Sequence, residues 1–174
     1  DPATPYQPQP HECGTAADLA RVLDAQGVDR VVIVNPTSGY GLDVRYLAHA
    51  LRTLGPRARG ITRVPLGIDR RGLRALAARA VIGVRLDVLA DPGPASSADA
   101  VAPLLRRLAD DGMLLDVQCE RDQLVPLAPL LRDIPVRVVV DHLGRPAPER
   151  GLRQPGFAAL LALADTGRVA VKLS

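Results

Sequence analysis

The sequence predicts an α/β protein whose strands are parallel. Short runs of β-branched residues alternate with segments whose apolar residues recur at helical spacing, and this alternation is typical of a parallel sheet. The strand candidates are continuously apolar, as expected when helices cover both faces of a sheet. A complete (β/α)8 barrel takes about 250 residues, whereas this chain of 174 residues holds six units. The units therefore form either part of such a barrel or an open, doubly wound sheet.

The order of the elements follows from these patterns. Residues 1–14 contain four prolines and no periodicity, so we expect a Pro-rich arm or loop ahead of one domain at residues 15–174. The first helix follows a cap at Thr15 or Asp18 and ends at Gly27. The strands are expected at Val31–Val34, Arg59–Val64, Ile82–Val88, Met113–Gln118, Val136–Val140 and Val169–Leu173. The later helices are expected at about 42–54, 70–80, 96–112, 124–131 and 157–164.

Composition excludes several classes of function. Aromatic residues make up 2% of the chain, so the rings on which base-stacking nucleic-acid modules depend are scarce. The 22 basic and 19 acidic residues are scattered, which is typical of a solvated surface. No apolar run approaches the roughly 20 residues of a membrane span, and Cys13 and Cys119 lie too far apart for a redox motif. We expect a cytoplasmic protein with reduced thiols that binds neither nucleic acid nor membrane.

The stretch from Val136 to Pro146 is the strongest candidate for a functional site. A β-branched strand ends there in Asp141-His142, and a turn containing Gly144 follows. Sites in α/β proteins are built where strands end in this way, so His142 is the candidate catalytic residue. The two other histidines lie in the Pro-rich arm and on a helix face beside arginines, where we expect solvated side chains.

Further polar side chains stand on predicted strands that are otherwise apolar, where charges are costly unless they are paired or functional. Residues two apart share one face of a strand, which puts His142 on the face of Val138 and Val140. If such faces converge, one polar pocket is lined by Arg85, Asp87, Gln118, His142 and Lys172. Other interpretations stay open: an Arg85–Asp87 ion pair, a Lys172–Asp141 pair, a Gln118 that bonds a neighbouring strand, and a satisfied core histidine.

The sequence predicts no metal or nucleotide site. The chain has no His-x-His or His-x-x-x-His, so the several ligands that a metal shell needs are missing. No Gly-rich phosphate loop follows any strand.

Several motifs carry a resemblance to a known family. They are Gly27–Pro36 with Ser38-Gly-Tyr-Gly41, Ala58-Arg-Gly60, Gly83-Val-Arg85, Asp116-Val-Gln118, Val140-Asp-His-Leu-Gly-Arg-Pro146 and Val171-Lys-Leu-Ser174. In this order and spacing they resemble the amidohydrolase-related TIM-barrel family that includes 2-pyrone-4,6-dicarboxylate lactonase. The motifs are similar to strands two to seven of that barrel, so the resemblance implies a partial (β/α)8 barrel of about six units.

The resemblance implies hydrolysis of a lactone or related carbonyl ester in a small carboxylated substrate. His142 would be the strand-six histidine that polarises the carbonyl, and Arg85 would clamp a substrate carboxylate, which suits the guanidinium fork. Ser38 and Tyr40 would lie on a substrate-contacting loop. Gln118 stands near the substrate, where metal-dependent relatives place a histidine. No cofactor is therefore expected here, although intact members of the family can bind a divalent metal.

The chain departs from the family in three ways. It lacks the His-x-His of strand one and the aspartate base of strand eight, and the family's second arginine falls on Asp91. We expect a fragment of a longer protein that is inactive alone and that self-associates through open sheet edges. The alternative to a hydrolase is a non-catalytic α/β module that binds small carboxylates.

Overall fold

Helices and strands alternate along the chain in the order that the sequence predicts. The structure is a computed structural model and describes residues 9–174. The predicted arm therefore lies partly outside the described residues, and within it a 3-10 turn forms at Pro10–Glu12. The chain divides into two compact units, which are described separately. Unit 1 comprises the residues up to Val64 together with Arg71–Ile82, and unit 2 comprises Pro65–Arg70 together with Gly83–Ser174.

The six predicted strands are confirmed, each to within two residues at either end. They are β1 (Val31–Val34), β2 (Ala58–Arg63), β3 (Val81–Asp87), β4 (Leu114–Gln118), β5 (Arg137–Val140) and β6 (Val169–Val171). The helices are α1 (Ala16–Ala25), α2 (Thr37–Tyr40), α3 (Arg45–Leu54), α4 (Arg70–Ala77), α5 (Ala98–Asp110), α6 (Ala128–Asp133) and α7 (Pro155–Ala164). None of the helices in residues 9–174 has the length and hydropathy that a membrane span requires.

In unit 1, β1 and β2 pair in parallel and α3 packs on β2. The buried face of α3 consists of Leu47, Ala50, Leu51 and Leu54. Gly60 on β2 permits a close approach of this helix, because a Cβ there would lie 3.0 Å from the side chain of Leu51. A side chain at position 60 would therefore require the Leu51 and Leu47 side chains to shift.

In unit 2, β3 to β6 pair in parallel in chain order, with Gly83 opposite Leu114 and Val138 opposite Val169. Helix α5 begins at an N-cap, because the Ser97 side chain accepts from the backbone N–H of Ala100. This helix buries Val101, Leu104, Leu105 and Leu108. Parallel pairing brings the carboxyl ends of all four strands to one edge, where the candidate site lies.

Three predicted helices are shorter than their apolar patterns suggest. Helix α3 begins at Arg45 rather than at Leu42. The predicted helix at 124–131 begins only at Ala128, because Pro126 and Pro129 permit a helix start but not a helix interior. Leu124 and Leu127 lie in turns instead, and their side chains are buried. Helix α4 ends at Ala77 rather than Ala80, since Ala80 has a left-handed φ of 64°.

Candidate functional site

Arg85 on β3 is the centre of a cluster of polar side chains in unit 2. Its Nε donates to Asp116 Oδ1 at 2.7 Å, and its Nη1 donates to Gln118 Oε1 at 2.9 Å. Its Nη2 donates to Asp141 Oδ2. The strand register explains the first contact, because Arg85 lies directly opposite Asp116 on β4. Three acceptors therefore fix the orientation of the guanidinium.

Asp141, directly after β5, joins Arg85 to Lys172. The Lys172 Nζ lies 2.6 Å from Asp141 Oδ1, while Arg85 bonds the other oxygen. The backbone holds Lys172 on both sides: its N–H donates to the Val140 carbonyl at 2.9 Å, and its carbonyl accepts from the Leu143 N–H at 3.2 Å. The Lys172–Asp141 pair, which the sequence left open, is confirmed.

The carboxylates of this cluster lie beneath its nitrogen groups. Asp116 and Asp141 are 0% and 2% exposed, whereas the side chains of Lys172 and His142 are 40% and 34% exposed. A molecule that approaches from solvent therefore meets nitrogen groups before it meets carboxylate oxygens. Such a surface suits a carboxylate or a carbonyl oxygen.

Burial and charge shift the pKa values of the two carboxyl groups in opposite directions. Burial raises the pKa of Asp116, against the hydrogen bond and charge of Arg85. Burial would also raise the pKa of Asp141, but the hydrogen bond from Lys172 and the charges of Arg85 and Lys172 outweigh it, so this pKa is lowered. Asp141, whose pKa is lowered, holds both cations.

His142 lies in the turn after β5 and not on the strand, so the predicted alternation with Val138 and Val140 is wrong. The strand ends at Val140 because the following residues leave the extended conformation. Four residues in succession have positive φ angles: 51° at His142, 57° at Leu143, 71° at Gly144 and 42° at Arg145. Left-handed backbone costs a non-glycine residue roughly 1–2 kcal/mol, and such strain is concentrated at functional sites.

This turn places the His142 ring beside Asp141, at the exposed side of the cluster. The Nδ1 atom lies 2.8 Å from Ser174 Oγ and the Nε2 atom lies 3.8 Å from Asp141 Oδ2. If the Ser174 hydroxyl donates to Nδ1, the ring proton resides on Nε2. In that tautomer the ring offers a hydrogen-bond donor to a bound molecule.

The structure brings Arg85, Gln118, His142 and Lys172 together as the sequence predicts, and it adds residues that the prediction omitted. Asp87 was also predicted to line the pocket. In the structure its Oδ1 accepts a hydrogen bond from the Ala90 N–H at 3.0 Å, which stabilises the turn after β3. Asp116 and Ser174 were left out of the predicted pocket, and Asp141 entered the prediction only as a partner of Lys172. Asp116 carried a usable signal, since it lies two positions before Gln118 and so shares its face.

Ser38 and Tyr40 lie in unit 1, in the short turn α2 that follows β1. They line a largely apolar cavity of about 640 Å³. The Tyr40 ring stacks on Tyr46 with a centroid distance of 5.8 Å. Small-molecule pockets commonly measure roughly 300–1,000 Å³, so this loop has room for a ligand.

The charged cluster does not fit a metal ion. Within residues 9–174 no group of three or more His, Cys, Asp and Glu side chains is arranged to hold one. Arg85 and Lys172 already neutralise Asp116 and Asp141, and the Gln118 oxygen accepts from Arg85. Cationic side chains stand where metal coordination would need open oxygen atoms.

Known proteins share both sequence and fold with this chain. A hydrolase of 2-pyrone-4,6-dicarboxylate from Comamonas testosteroni is 30% identical over 145 residues, which are 83% of this chain and 47% of the relative. A provisionally named 2-pyrone-4,6-dicarboxylic acid hydrolase from Pseudomonas putida is 32% identical, with a TM-score of 0.84 over 99% of this chain and 62% of that one. A similarly named structure from Acinetobacter baumannii, solved with citric acid bound, shares the fold at 24% identity, with a TM-score of 0.83 over 99% and 63% of the two chains.

These likenesses decide between the fold classes that the sequence left open. The chain has parallel strands that alternate with helices and match part of an amidohydrolase barrel, so the expected partial (β/α)8 barrel is confirmed. It spans about half the length of the Comamonas relative. The profile of the Amidohydrolase family matches residues 2–174. The chain therefore belongs to the amidohydrolase family.

Proposed function

We propose that the protein hydrolyses a lactone or related cyclic ester in a small ring compound that carries carboxylates. The relatives named above act, by their names, on 2-pyrone-4,6-dicarboxylate. The observation that carries the proposal is the layered cluster of unit 2, in which buried carboxylates hold nitrogen groups at the exposed side. Ester hydrolysis needs a positioned donor for the carbonyl oxygen and a grip on the substrate.

His142 is the proposed catalytic residue. With its proton on Nε2, the ring donates to the carbonyl oxygen of the scissile ester and stabilises the negative charge that develops as water attacks. This tautomer requires that Ser174 Oγ, which lies 2.8 Å from Nδ1, donate to it. Neither Asp116 nor Asp141 is assigned as the base that activates water, because Arg85 binds both carboxylates.

In unit 2, Arg85 and Gln118 are the proposed substrate-binding residues. Arg85 has five N–H donors, of which three bond Asp116, Gln118 and Asp141. The remaining donors clamp a substrate carboxylate. The amide nitrogen of Gln118 contacts the same group. Ser38 and Tyr40 are proposed separately, as residues that contact a ligand in the unit 1 cavity.

A second candidate function is carboxylate binding without catalysis. The observation that favours it is the engagement of both carboxylates in the unit 2 cluster, which leaves neither as a ready base. This candidate keeps the roles of Arg85 and Gln118 and removes that of His142.

Turnover of 2-pyrone-4,6-dicarboxylate by the protein from the complete gene tests the hydrolase proposal. We expect His142→Ala to lower kcat by about 10²–10³-fold, the usual loss of one oxyanion donor. His49→Ala is the matched control, because His49 is an exposed histidine on α3, and it should leave kcat unchanged. Binding of the compound without ring opening would favour the second candidate, and full activity of His142→Ala would remove His142 from the mechanism.

Cytoplasmic location and self-association are also proposals. The free thiols of Cys13 and Cys119 support the first. The exposed Val32 on β1 supports the second. Light scattering at rising protein concentration tests the second, and a constant monomer mass would contradict it.

A further inference from the structure

We propose that Lys172 binds a carboxylate of the substrate as a second cation beside Arg85, and so determines a preference for dicarboxylates over monocarboxylates. The inference rests on the proposed function in taking a carboxylated ring compound as the ligand. It assigns a specificity-determining role to a residue outside the clamp already described.

Lys172 is unusual in the composition of the chain. It is the one lysine in the sequence, and the other basic residues among the 22 are arginines. An ammonium group is a compact charge with three donors, whereas guanidinium is a planar fork. The chain thus carries its only ammonium side chain at the cluster.

Asp141 sets the position of Lys172 relative to Arg85. One carboxylate oxygen accepts from Arg85, and the other lies 2.6 Å from the Lys172 Nζ. The two cations are therefore held side by side on a single carboxylate. A ring with two carboxylates has one for each cation.

The backbone on both sides of Lys172 is fixed, which favours a binding role over a mobile surface charge. Its N–H and its carbonyl both bond the segment around His142, through Val140 and Leu143. The side chain is 40% exposed, and two of its three N–H donors remain after the contact with Asp141. The His142 ring and the Lys172 ammonium group both lie beside Asp141, at 3.8 Å and 2.6 Å from its two oxygens.

The charge beneath Lys172 is also favourable for an anion. Asp116 is fully buried, and its Oδ2 has no hydrogen-bond partner among the residues that the structure describes. Burial raises the pKa of this carboxyl group. Because Asp116 is buried and paired with Arg85, its oxygens do not meet an incoming carboxylate.

The test is calorimetric titration of the full-length protein with isophthalate and benzoate, two non-hydrolysable rings that differ by one carboxylate. We expect the wild type to prefer isophthalate by about tenfold or more, the usual effect of one charge-assisted hydrogen bond. Lys172→Met should lose most of this preference through weaker isophthalate binding, with benzoate affinity nearly unchanged. Lys172→Arg should retain most of it.

Two controls separate binding from folding. Arg106→Met removes a positive charge from an exposed position on α5 and should leave both affinities unchanged. Reductive ¹³C-methylation keeps the ammonium charge, and the Lys172 signal, assigned by its loss in Lys172→Arg, should shift with isophthalate and far less with benzoate. This second readout reports on the folded wild type alone.

The outcomes distinguish this inference from the proposed function. Equal losses for both rings in Lys172→Met, or an unshifted methyl signal at saturating isophthalate, would overturn the role of Lys172 even if the enzyme opens lactones. A Lys172-dependent preference in a protein that opens no lactone would support the inference and overturn the hydrolase. Absence of binding to either ring would overturn the inference.

Discussion

Arg85 with Asp116 and Arg45 with Asp43 are ion pairs of nearly equal length in opposite surroundings. The N–O distances are 2.7 Å and 2.6 Å. The first pair is 10% and 0% exposed, and the second is 91% and 30% exposed. Water screens the second pair, whereas the first has lost the water that would solvate each charge alone. Distance therefore says little about the consequence of breaking a pair, and burial decides it.

Removal of the buried arginine should have the largest effect. Arg85→Met leaves Asp116 and Asp141 without their shared partner in a buried site, and we expect a loss of about 3–5 kcal/mol in the free energy of unfolding. Urea unfolding measures this loss. Arg45→Met, the matched change in the exposed pair, should leave the urea midpoint unchanged. Equal effects of the two substitutions would contradict the distinction by burial.

The two aspartates that bond Arg85 should differ from each other. Asp141→Asn removes the charge that holds two cations, and we expect a loss of about 2 kcal/mol in the free energy of unfolding at pH 7. Asp116→Asn keeps the acceptor for Arg85 and removes a charge that burial disfavours, so its loss should be about 1 kcal/mol or less.

Urea unfolding of both variants at several pH values shows how the contribution of each aspartate to stability depends on pH. Because the pKa of Asp116 is raised in the folded state, its contribution to stability is fully present below the unfolded pKa and is lost as pH rises through the folded one. The stability of Asp116→Asn relative to wild type should therefore improve from pH 3 to pH 7. The opposite trend would mean that Arg85 dominates over burial at this carboxyl group.

The smallest effect is expected at an exposed carboxylate with the opposite pKa shift. Hydrogen bonds from the Thr15 side chain and backbone, together with Arg21, lower the pKa of Asp18 to about 2. Its contribution to stability is present above the ordinary aspartate pKa of 3.8 and is lost as pH falls towards 2. Asp18→Asn should reduce the shift of the urea midpoint between pH 5 and pH 2.5, and an unchanged shift would contradict the capping role.

The strands were predictable because apolar residues recur along them. Unusual backbone angles at single positions were not predictable from such a pattern. Apolar runs identified all six strands because parallel strands are covered on both faces. The face rule also brought Arg85 and Gln118 together. It failed at His142, because nothing in a period of two signals a turn with four left-handed residues in succession.

The partners within the site were harder to predict than its members. Lys172 and Asp141 are far apart in sequence, and their contact depends on the pairing of β5 with β6. Asp116 lies two positions before Gln118 and so shares its face, but its burial and its bond to Arg85 depend on the register between β3 and β4. Register is a tertiary property that a single strand pattern does not encode.

A crystal structure of the full-length protein with isophthalate is the most direct test of the central claim that the exposed side of the unit 2 cluster binds the substrate. We expect one carboxylate at about 2.7–3.2 Å from donors of Arg85, the other at a similar distance from the Lys172 Nζ, and the ring beside His142. Isophthalate bound away from these three residues would contradict the claim.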